Sequence, residues 1–266
     1  MKKKKKKSSP LLTVLIILFA GIFLFSAYKL WGILREYKAG ENVYDNVTNE
    51  VATIKESKTE VSGTMTVVER ENELPIEIDF EALCAQYPDV VGWIYSPDTV
   101  INYPVVQGDD NDYYLDHLVN GDYNGSGSIF LDMRNLPDLS DQNSILYGHH
   151  MKNGSMFRSI VEYESQEYYE EHPTLYFLTP EKNYRVEVFA GYVTPSTSDT
   201  YTFNFAGEEE FAAYLEDAIS RSDFDAKAEV TAEDKILTLS TCTYAYDEAR
   251  YVLQGKLVEL PAETKE

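Results

Sequence analysis

The sequence predicts a mainly β domain, a closed barrel or sandwich decorated by helices, preceded by one transmembrane helix. Three observations support this prediction: a charge-free apolar run near the N-terminus, a series of short β-rich runs separated by turn residues, and only a few helical segments among those runs. Many short strands with turn signals are typical of barrels and sandwiches. A doubly wound α/β sheet would need regular alternation of strands and helices, which this sequence lacks.

The apolar run at residues 11–28 contains no charged residue. It is about long enough to cross ~30 Å of hydrocarbon at 1.5 Å per residue of helix. Tyr28 ends the run and Trp31 follows it, where aromatic side chains of the membrane interface usually lie. We therefore expect a transmembrane signal anchor at residues 11–34.

The flanks of this run predict its orientation. Residues 2–7 are all lysine, and lysine-rich flanks stay on the cytoplasmic side. Residues 1–10 would then be a cytoplasmic tail, and everything after the anchor would be extracellular. The alternative is a cleaved signal peptide, but it would have a shorter apolar core and a small-x-small cleavage site, and residues 26–28 do not fit that pattern.

Between the anchor and the predicted domain lies a polar segment. Residues 35–78 are rich in charge and poor in large apolar groups, which predicts a stalk without a core of its own. The folded domain is predicted at 79–266. Asp79 can cap a first helix that runs to about Tyr87, and Pro88 ends it.

The domain then alternates between β-rich runs and turns. Candidate strands lie at 90–95, 100–106, 127–131, 144–147, 174–178, 184–192, 235–240 and 251–257. Two helical segments are predicted at 156–169 and 208–220. The second has apolar residues at i, i+3, i+4, i+7 and i+8, the spacing of one helix face.

Charge excludes one class of partner. The chain has a net charge of −22, but its first 38 residues carry nine Lys or Arg and one acid, so residues 39–266 carry −30. A domain this acidic repels a phosphate backbone, and we expect no nucleic-acid partner. An amine-bearing partner would be tolerated, although the simplest interpretation is that the excess of acidic residues keeps an exposed domain soluble. No cofactor motif is present, and without CxxC or HExxH no metal site is predicted.

Three residues at the ends of predicted strands carry candidate chemistry. His149 follows the apolar strand at 144–147, Cys242 follows the strand at 235–240, and Arg250 opens the last strand. A cysteine beside a histidine is a nucleophile with a base, and a nearby positive charge favours the thiolate. Arginine supplies donors where an oxyanion develops. Singly, each has a plainer interpretation: a buried small residue, a structural histidine, or a surface ion pair.

The other cysteine has a simpler explanation. Cys84 lies on the apolar face of the helix that Asp79 caps. There it is interpreted as a small buried hydrophobic residue rather than as the partner of Cys242 in a disulfide.

At this point the sequence resembles a known family. Residues 238–242 read TLSTC, similar to the TLxTC signature of sortases, with Arg250 one short hairpin later and Gly148-His149 matching the family's histidine. Five further short segments resemble class B sortases, and together they extend the resemblance over residues 79–257 approximately. These segments are DVVGWI at 89–94, INYPVVQ at 101–107, NDYYL at 111–115, GSIFLD at 127–132 and YGHHM at 147–151.

The resemblance implies a sortase-type closed β-barrel of about eight strands, with an N-terminal helix and a helix before the strand that carries Cys242. It implies a cysteine transpeptidase that cleaves a C-terminal sorting signal after Thr, forms a thioacyl-enzyme, and transfers it to an amine of a peptidoglycan precursor or cross-bridge. Cys242 would be the nucleophile and His149 the general acid and base. Arg250 would hold the substrate and its oxyanion. No cofactor is implied.

Five further residues are implied as substrate contacts. Asn111 and Leu115 match family positions beside the start of the sorting signal, and Ser240 resembles a contact near the nucleophile. Thr197 and Tyr201 would line a loop wall. From the residues alone, Leu115 and Tyr201 could equally belong to the core.

The family pattern leaves some questions open. His150 matches no family role, and no acid near Cys242 has a clear counterpart, so a Cys-His-Arg set is expected rather than Cys-His-Asp. Alternatives to wall anchoring are a pilin-polymerising sortase, a hydrolase in which water resolves the thioester, and an inactive surface binding module. Retention of Cys242, His149 and Arg250 together argues against the last.

Overall fold

The β-rich runs of the sequence become the strands of a barrel. The computed structural model describes residues 10–55 and 73–261; the lysine block at 2–7 and part of the expected stalk lie outside them. The α-helices are α1 Pro10–Val51, α2 Phe80–Gln86, α3 Gln166–Glu171 and α4 Glu208–Arg221. The strands are β1 Ala52–Ile54, β2 Ile76–Ile78, β3 Val90–Tyr95, β4 Asn102–Val106, β5 Ile129–Leu131, β6 Asn143–Tyr147, β7 Thr174–Leu178, β8 Asn183–Pro195, β9 Ile236–Cys242 and β10 Ala249–Glu259. Three 3₁₀ segments lie at Tyr113–Leu115, Phe157–Glu164 and Asp199–Tyr201.

Eight of these strands close on themselves. Their order is β10-β8-β7-β3-β4-β5-β6-β9, and β9 pairs with β10 to complete the ring. The pairs β4–β5 and β6–β9 are parallel and the others antiparallel. The predicted closed barrel of about eight strands is therefore confirmed, and closure removes the unpaired strand edges that an open sheet would expose.

The core fills the barrel and extends outside it. Trp93, Phe177 and Leu253 are fully buried in one large apolar cluster. A second cluster, which includes Phe211 and Leu215, lies where α4 covers the outside of the barrel. Because helices cover parts of the outer surface, strands such as β9 are buried on both faces and lack a clean alternation of apolar and polar residues.

The helix α1 differs from the expected stalk. It continues without a break from the apolar run to Val51, and its second half packs on the barrel through Gly40, Tyr44, Val47 and Val51. β1 then pairs with β2, so residues on both sides of 56–72 belong to the folded domain. The physical reason is that these four residues recur at helical spacing and form one narrow apolar face on the otherwise polar second half of the helix.

The remaining helices follow the sequence more closely. Asp79 caps α2 by accepting a hydrogen bond from the Ala82 N–H, and α4 lies before β9, as predicted. The helix predicted at 156–169 is instead a 3₁₀ segment followed by α3. Ser165 separates the two, since it caps the new helix through its hydroxyl and accepts from Tyr168 N–H.

Candidate active site

The three candidate catalytic residues meet because of strand register. In the antiparallel pair β9–β10, Cys242 and Arg250 are direct partners. In the parallel pair β6–β9, Tyr147 is the partner of Ser240, so continuing the register by two residues places His149 beside Cys242. Side chains at matched positions of neighbouring strands lie on the same face. Three adjacent strands thus bring these three side chains to one edge of the barrel.

An open cleft of about 440 Å³ lies over this edge. It combines the ends of β6, β9 and β10 with the segment around the first 3₁₀ turn and the loop after β8. The lining residues are Asn111, Asp112, Leu115, Phe130, Tyr147, Gly148, His149, Ser196, Tyr201, Ser240, Thr241, Cys242 and Arg250.

The end of β9 is fastened to the end of β6. Gly148 N–H donates to Ser240 O at 3.1 Å, and Thr241 Oγ1 donates to Gly148 O at 2.7 Å. A side chain at Gly148 would collide with Ile129 Cδ1 and come within 2.7 Å of Phe157 Cδ2. The glycine therefore serves close packing inside the barrel wall, which orients the next residue, His149. Cys242 itself is exposed at the cleft.

A main-chain carbonyl orients His149. Its Nε2 lies 2.7 Å from Leu115 O. Because a carbonyl can only accept, Nε2 carries the proton and Nδ1 is the nitrogen left to exchange protons in the neutral ring. This contact takes the position of the third group that orients the base in other nucleophile–base pairs.

Arg250 is held only loosely in this state. Its Nη1 donates to Ala249 O at 3.1 Å, and its Nη2 lies 3.5 Å from Glu248 Oε2, whose side chain is 77% exposed. Exposed ion pairs of this kind contribute little. The guanidinium can therefore turn towards a ligand carbonyl in the cleft at small cost.

Ser240 and Tyr201 form the wall beside the nucleophile. Tyr201 Oη and Ser240 Oγ are 2.9 Å apart. Burial raises the pKa of Tyr201 to about 12, although the Ser240 hydrogen bond and the Arg250 charge act in the opposite direction. The phenol is therefore neutral at physiological pH and keeps its proton for a hydrogen bond. Tyr201 is therefore not simply a core residue: its ring is only partly buried, and it lines the cleft.

The other predicted contacts divide into two groups. Asn111 and Leu115 line the cleft; Asn111 Oδ1 accepts from Met133 N–H at 2.8 Å, and Leu115 is 41% exposed, so it is not a core residue. Thr197 is exposed and lies outside the lining, whereas its neighbour Ser196 lines the cleft.

His150 has a contact that the sequence did not indicate. Its Nδ1 donates to Cys242 O at 2.8 Å, and its ring packs edge-on against Tyr244 with centroids 5.3 Å apart. The only available signal was its place next to His149, because a bond to a main-chain carbonyl needs no particular partner residue.

Cys84 lies apart from this site. It is a partly buried free thiol on α2, close to Val90 O, and burial raises its pKa. Such a thiol is a poor nucleophile at neutral pH. Over residues 10–55 and 73–261, no group of three or more His, Cys, Asp or Glu is arranged to hold a metal ion.

Comparison with known proteins identifies the family. The Sortase domain model matches residues 94–258. The chain is 38% identical over 242 residues to Sortase B of Listeria monocytogenes, covering 90% of this chain and 93% of that protein. It is 34% identical over 183 residues to Sortase B of Staphylococcus aureus, covering 68% and 75%.

Solved structures agree. Sortase B from Bacillus anthracis superimposes with a TM-score of 0.71 at 35% identity, covering 85% of this chain and all of the other. A Staphylococcus aureus sortase B–substrate complex gives a TM-score of 0.65 at 34% identity, covering 68% and 85%. The chain therefore belongs to the sortase family of cysteine transpeptidases, and within it to class B.

Proposed function

We propose that the cleft joins surface proteins to the cell wall, with Cys242 as nucleophile, His149 as general acid and base, and Arg250 as the donor to substrate and oxyanion. The observation that carries this assignment is the register of β6, β9 and β10, which gathers these three side chains at one edge of the barrel. The exposed thiol and the loosely held guanidinium suit a nucleophile and an oxyanion donor.

The first half-reaction cleaves the sorting signal. The Cys242 thiolate attacks the carbonyl carbon of the substrate's Thr, and the negative charge that develops on the carbonyl oxygen faces Arg250. The C–N bond then breaks, and protonated His149 gives its Nδ1 proton to the leaving amine. The products are a thioester on Cys242 and a released peptide with a free N-terminus.

The second half-reaction resolves the thioester. An amine of a peptidoglycan precursor or cross-bridge attacks the thioester carbonyl, and neutral His149 takes the proton that the nitrogen loses. The C–S bond breaks, the new amide leaves, and Cys242 returns as thiolate. One similar sortase B has been solved in complex with triglycine, an oligopeptide with a terminal amine.

The substrate chain would lie along the cleft. We assign Asn111 and Leu115 to the wall that receives the start of the sorting signal, and Ser240 with Tyr201 to the wall beside the scissile bond. Thr197 is the weakest of the predicted contacts because it lies outside the cleft lining, and Ser196 is the better candidate.

We further propose that α1 anchors the chain as a single-pass protein with its N-terminus in the cytoplasm and the barrel outside. α1 is long and apolar enough to cross a membrane once, and its apolar stretch is not buried in the protein. The lysines at 2–7 supply the positive-inside signal.

A product assay tests the proposed function. The chain from residue 36 onward is incubated with a panel of sorting-signal peptides, with no acceptor, with triglycine, or with a lysine-bearing pilin-type peptide, and products are identified by mass. We expect cleavage after Thr and a triglycine adduct, and neither with Cys242→Ala. A lysine adduct alone would favour pilin polymerisation, release of free acid despite acceptor would favour hydrolysis, and an inert Cys242 would favour a binding module.

A further inference from the structure

The way in which α1 meets the barrel carries a further inference, which rests on the proposed membrane insertion of α1. We infer that the loop at residues 117–125, here named the 117–125 loop, rests on the lipid headgroup layer into which the chain's own helix inserts. The docking would set the height of the active-site cleft above the membrane.

The helix leaves the membrane only a short distance before it reaches the barrel. The charge-free run ends at Tyr28, and Trp31 lies beneath Arg35 with the guanidinium 5.3 Å from the ring centroid, as expected for an interfacial pair. α1 continues as helix through this region. Glu36 is therefore only about 8–12 Å above the hydrocarbon boundary at 1.5 Å per residue. The headgroup layer itself occupies roughly 5–8 Å of that height.

At this height the helix already touches the 117–125 loop. The Glu36 carboxylate accepts from Gly125 N–H at 2.8 Å, and Asn124 Nδ2 donates to Glu36 O at 3.0 Å. Residue 40 then packs beside Asn124 and Ser126. Two hydrogen bonds and a close helix–loop packing thus fix the loop against α1 immediately outside the membrane.

Contacts farther along α1 show that this loop is the membrane-proximal end of the domain. Tyr44 Oη donates to Gly127 O at 2.6 Å, two turns above Glu36. Val51 O accepts from Asp79 N–H at the C-terminal end of the helix, about 22 Å above Glu36 by the rise per residue. Residues 180–182 line a cavity with β2 and Lys55 beyond that end, so they mark the membrane-distal side.

The exposed side chains of the loop suit a lipid interface. Tyr123 is 73% exposed, and its ring packs edge-on against His117, which in turn stacks on Tyr113 at 4.0 Å between centroids. Tyrosine is amphipathic and is enriched at the headgroup level. Asp116 and Asp122 accompany this cluster, which favours zwitterionic over anionic headgroups.

The loop is tied directly to the cleft. Asn124 N–H donates to Asp116 O at 2.9 Å, and Ser128 N–H donates to Tyr114 O at 2.9 Å. Between Tyr114 and Asp116 stands Leu115, whose carbonyl orients His149. A loop held at the headgroup layer therefore holds one wall of the cleft, and the orienting group of His149, at a fixed height.

Site-specific quenching in nanodiscs tests the inference. Single-cysteine versions of the full chain carry Cys84→Ala and Cys242→Ser together with Tyr123→Cys, Glu181→Cys or Ile22→Cys, and each is labelled with bimane in phosphatidylcholine discs. A nitroxide on the lipid headgroup reports proximity to the surface, and a nitroxide in the acyl chain reports insertion. Glu181 is the matched control, because it is exposed and lies at the distal end.

We expect the headgroup nitroxide to quench the label at position 123 at least several-fold more strongly than the label at 181. Equal quenching at 123 and 181, with strong acyl-chain quenching at 22, would overturn the docking while leaving the anchor intact. Absence of acyl-chain quenching at 22 would overturn the membrane insertion of α1 and the docking with it.

Discussion

Among single side chains, His150 connects the strand that carries the proposed base to the strand that carries the nucleophile. Its Nδ1 donates to the main-chain carbonyl of Cys242, directly before the loop that leads to Arg250. The bond fixes where the chain turns after the nucleophile, so we consider His150 a positioning residue and not a catalytic one.

The first prediction concerns this bond. His150→Phe removes the donor and keeps a ring against Tyr244, whereas His150→Asn keeps a donor of similar reach. A hydrogen bond of about 1 kcal/mol corresponds to a roughly fivefold change, so we expect His150→Phe to lower kcat about fivefold with KM little changed. His150→Asn should restore most of the rate. Equal kcat values for both variants and the unmodified chain would contradict the role.

A second residue-scale prediction concerns the support behind the cleft. Asp132 is buried and accepts hydrogen bonds from Arg134 Nη2 at 2.7 Å and from Tyr147 Oη at 2.9 Å. Burial alone would raise the pKa of Asp132, but the hydrogen bonds from Arg134 and Tyr147 outweigh burial and hold it below its ordinary value.

A carboxyl whose pKa is lower in the folded state stabilises the fold above the unfolded pKa of about 4, and this contribution is lost as the pH falls through the folded pKa. Asp132→Asn should therefore cost about 2 kcal/mol at pH 7, from the lost charge-assisted bonds. The difference between the two proteins should be constant from about pH 8 to about 5 and shrink below about 4, as measured by denaturant unfolding across pH. A difference that grows on acidification would contradict the assignment.

Some residues and contacts of the site could be predicted from the sequence, and others could not. Cys242, His149 and Arg250 are specified by side-chain chemistry in short motifs, so the sequence alone proposed them. The partners Leu115 O and Cys242 O are main-chain atoms that any residue supplies, and the bonds from His149 and His150 therefore leave no signal in the sequence. The resemblance predicts Thr197 as a contact, whereas the cleft lining includes its neighbour Ser196, and a one-residue shift in a loop cannot be recognised from composition.

At the scale of secondary structure, α1 is the element whose role differs most from expectation. The polar composition of its second half indicated a stalk, but that half is part of the folded domain. The signal was available: Gly40, Tyr44, Val47 and Val51 are spaced by four, three and four residues, which is one face of a helix. Only that face contacts the barrel, so the overall composition remained polar.

The corresponding prediction compares two adjacent substitutions. Val47 is 2% exposed against the barrel, whereas Asn46 points to solvent on the same helix. Val47→Asp buries an unpaired charge and should cost about 3 kcal/mol or more, while Asn46→Asp adds the same charge at the surface and should change stability by less than about 0.5 kcal/mol. Denaturant unfolding of the chain from residue 36 measures both.

If the two aspartate substitutions lower the free energy of unfolding equally, the second half of α1 would not be packed on the barrel in solution.

The barrel strands were predicted more accurately than α1, because their β-rich runs and turn residues indicated all eight of them to within a few residues. The choice of a closed barrel over a sandwich came from the family resemblance, and the strand order was not predicted, since local periodicity carries no information about which strands pair.

For the molecule as a whole, one continuous helix links the apolar segment, the barrel and the cleft. The barrel places His149, Cys242 and Arg250 at one edge, and α1 contacts the same region of the barrel through the 117–125 loop. The strongly acidic domain surface, with −30 over residues 39–266, suits an amine acceptor and excludes a polyanionic one. The chemistry and the proposed position at the membrane are therefore consistent with each other.

The most direct test of the central claim is the intact mass of the enzyme during the reaction. The chain from residue 36 is mixed with an intact sorting-signal peptide in the absence of acceptor, quenched in acid, and mapped by tandem mass spectrometry. We predict an acyl adduct on Cys242 that disappears when triglycine is added, no adduct in Cys242→Ala, and a strongly reduced rate of adduct formation in His149→Ala and Arg250→Ala. An adduct on another residue, or turnover that survives loss of Cys242, would contradict the account.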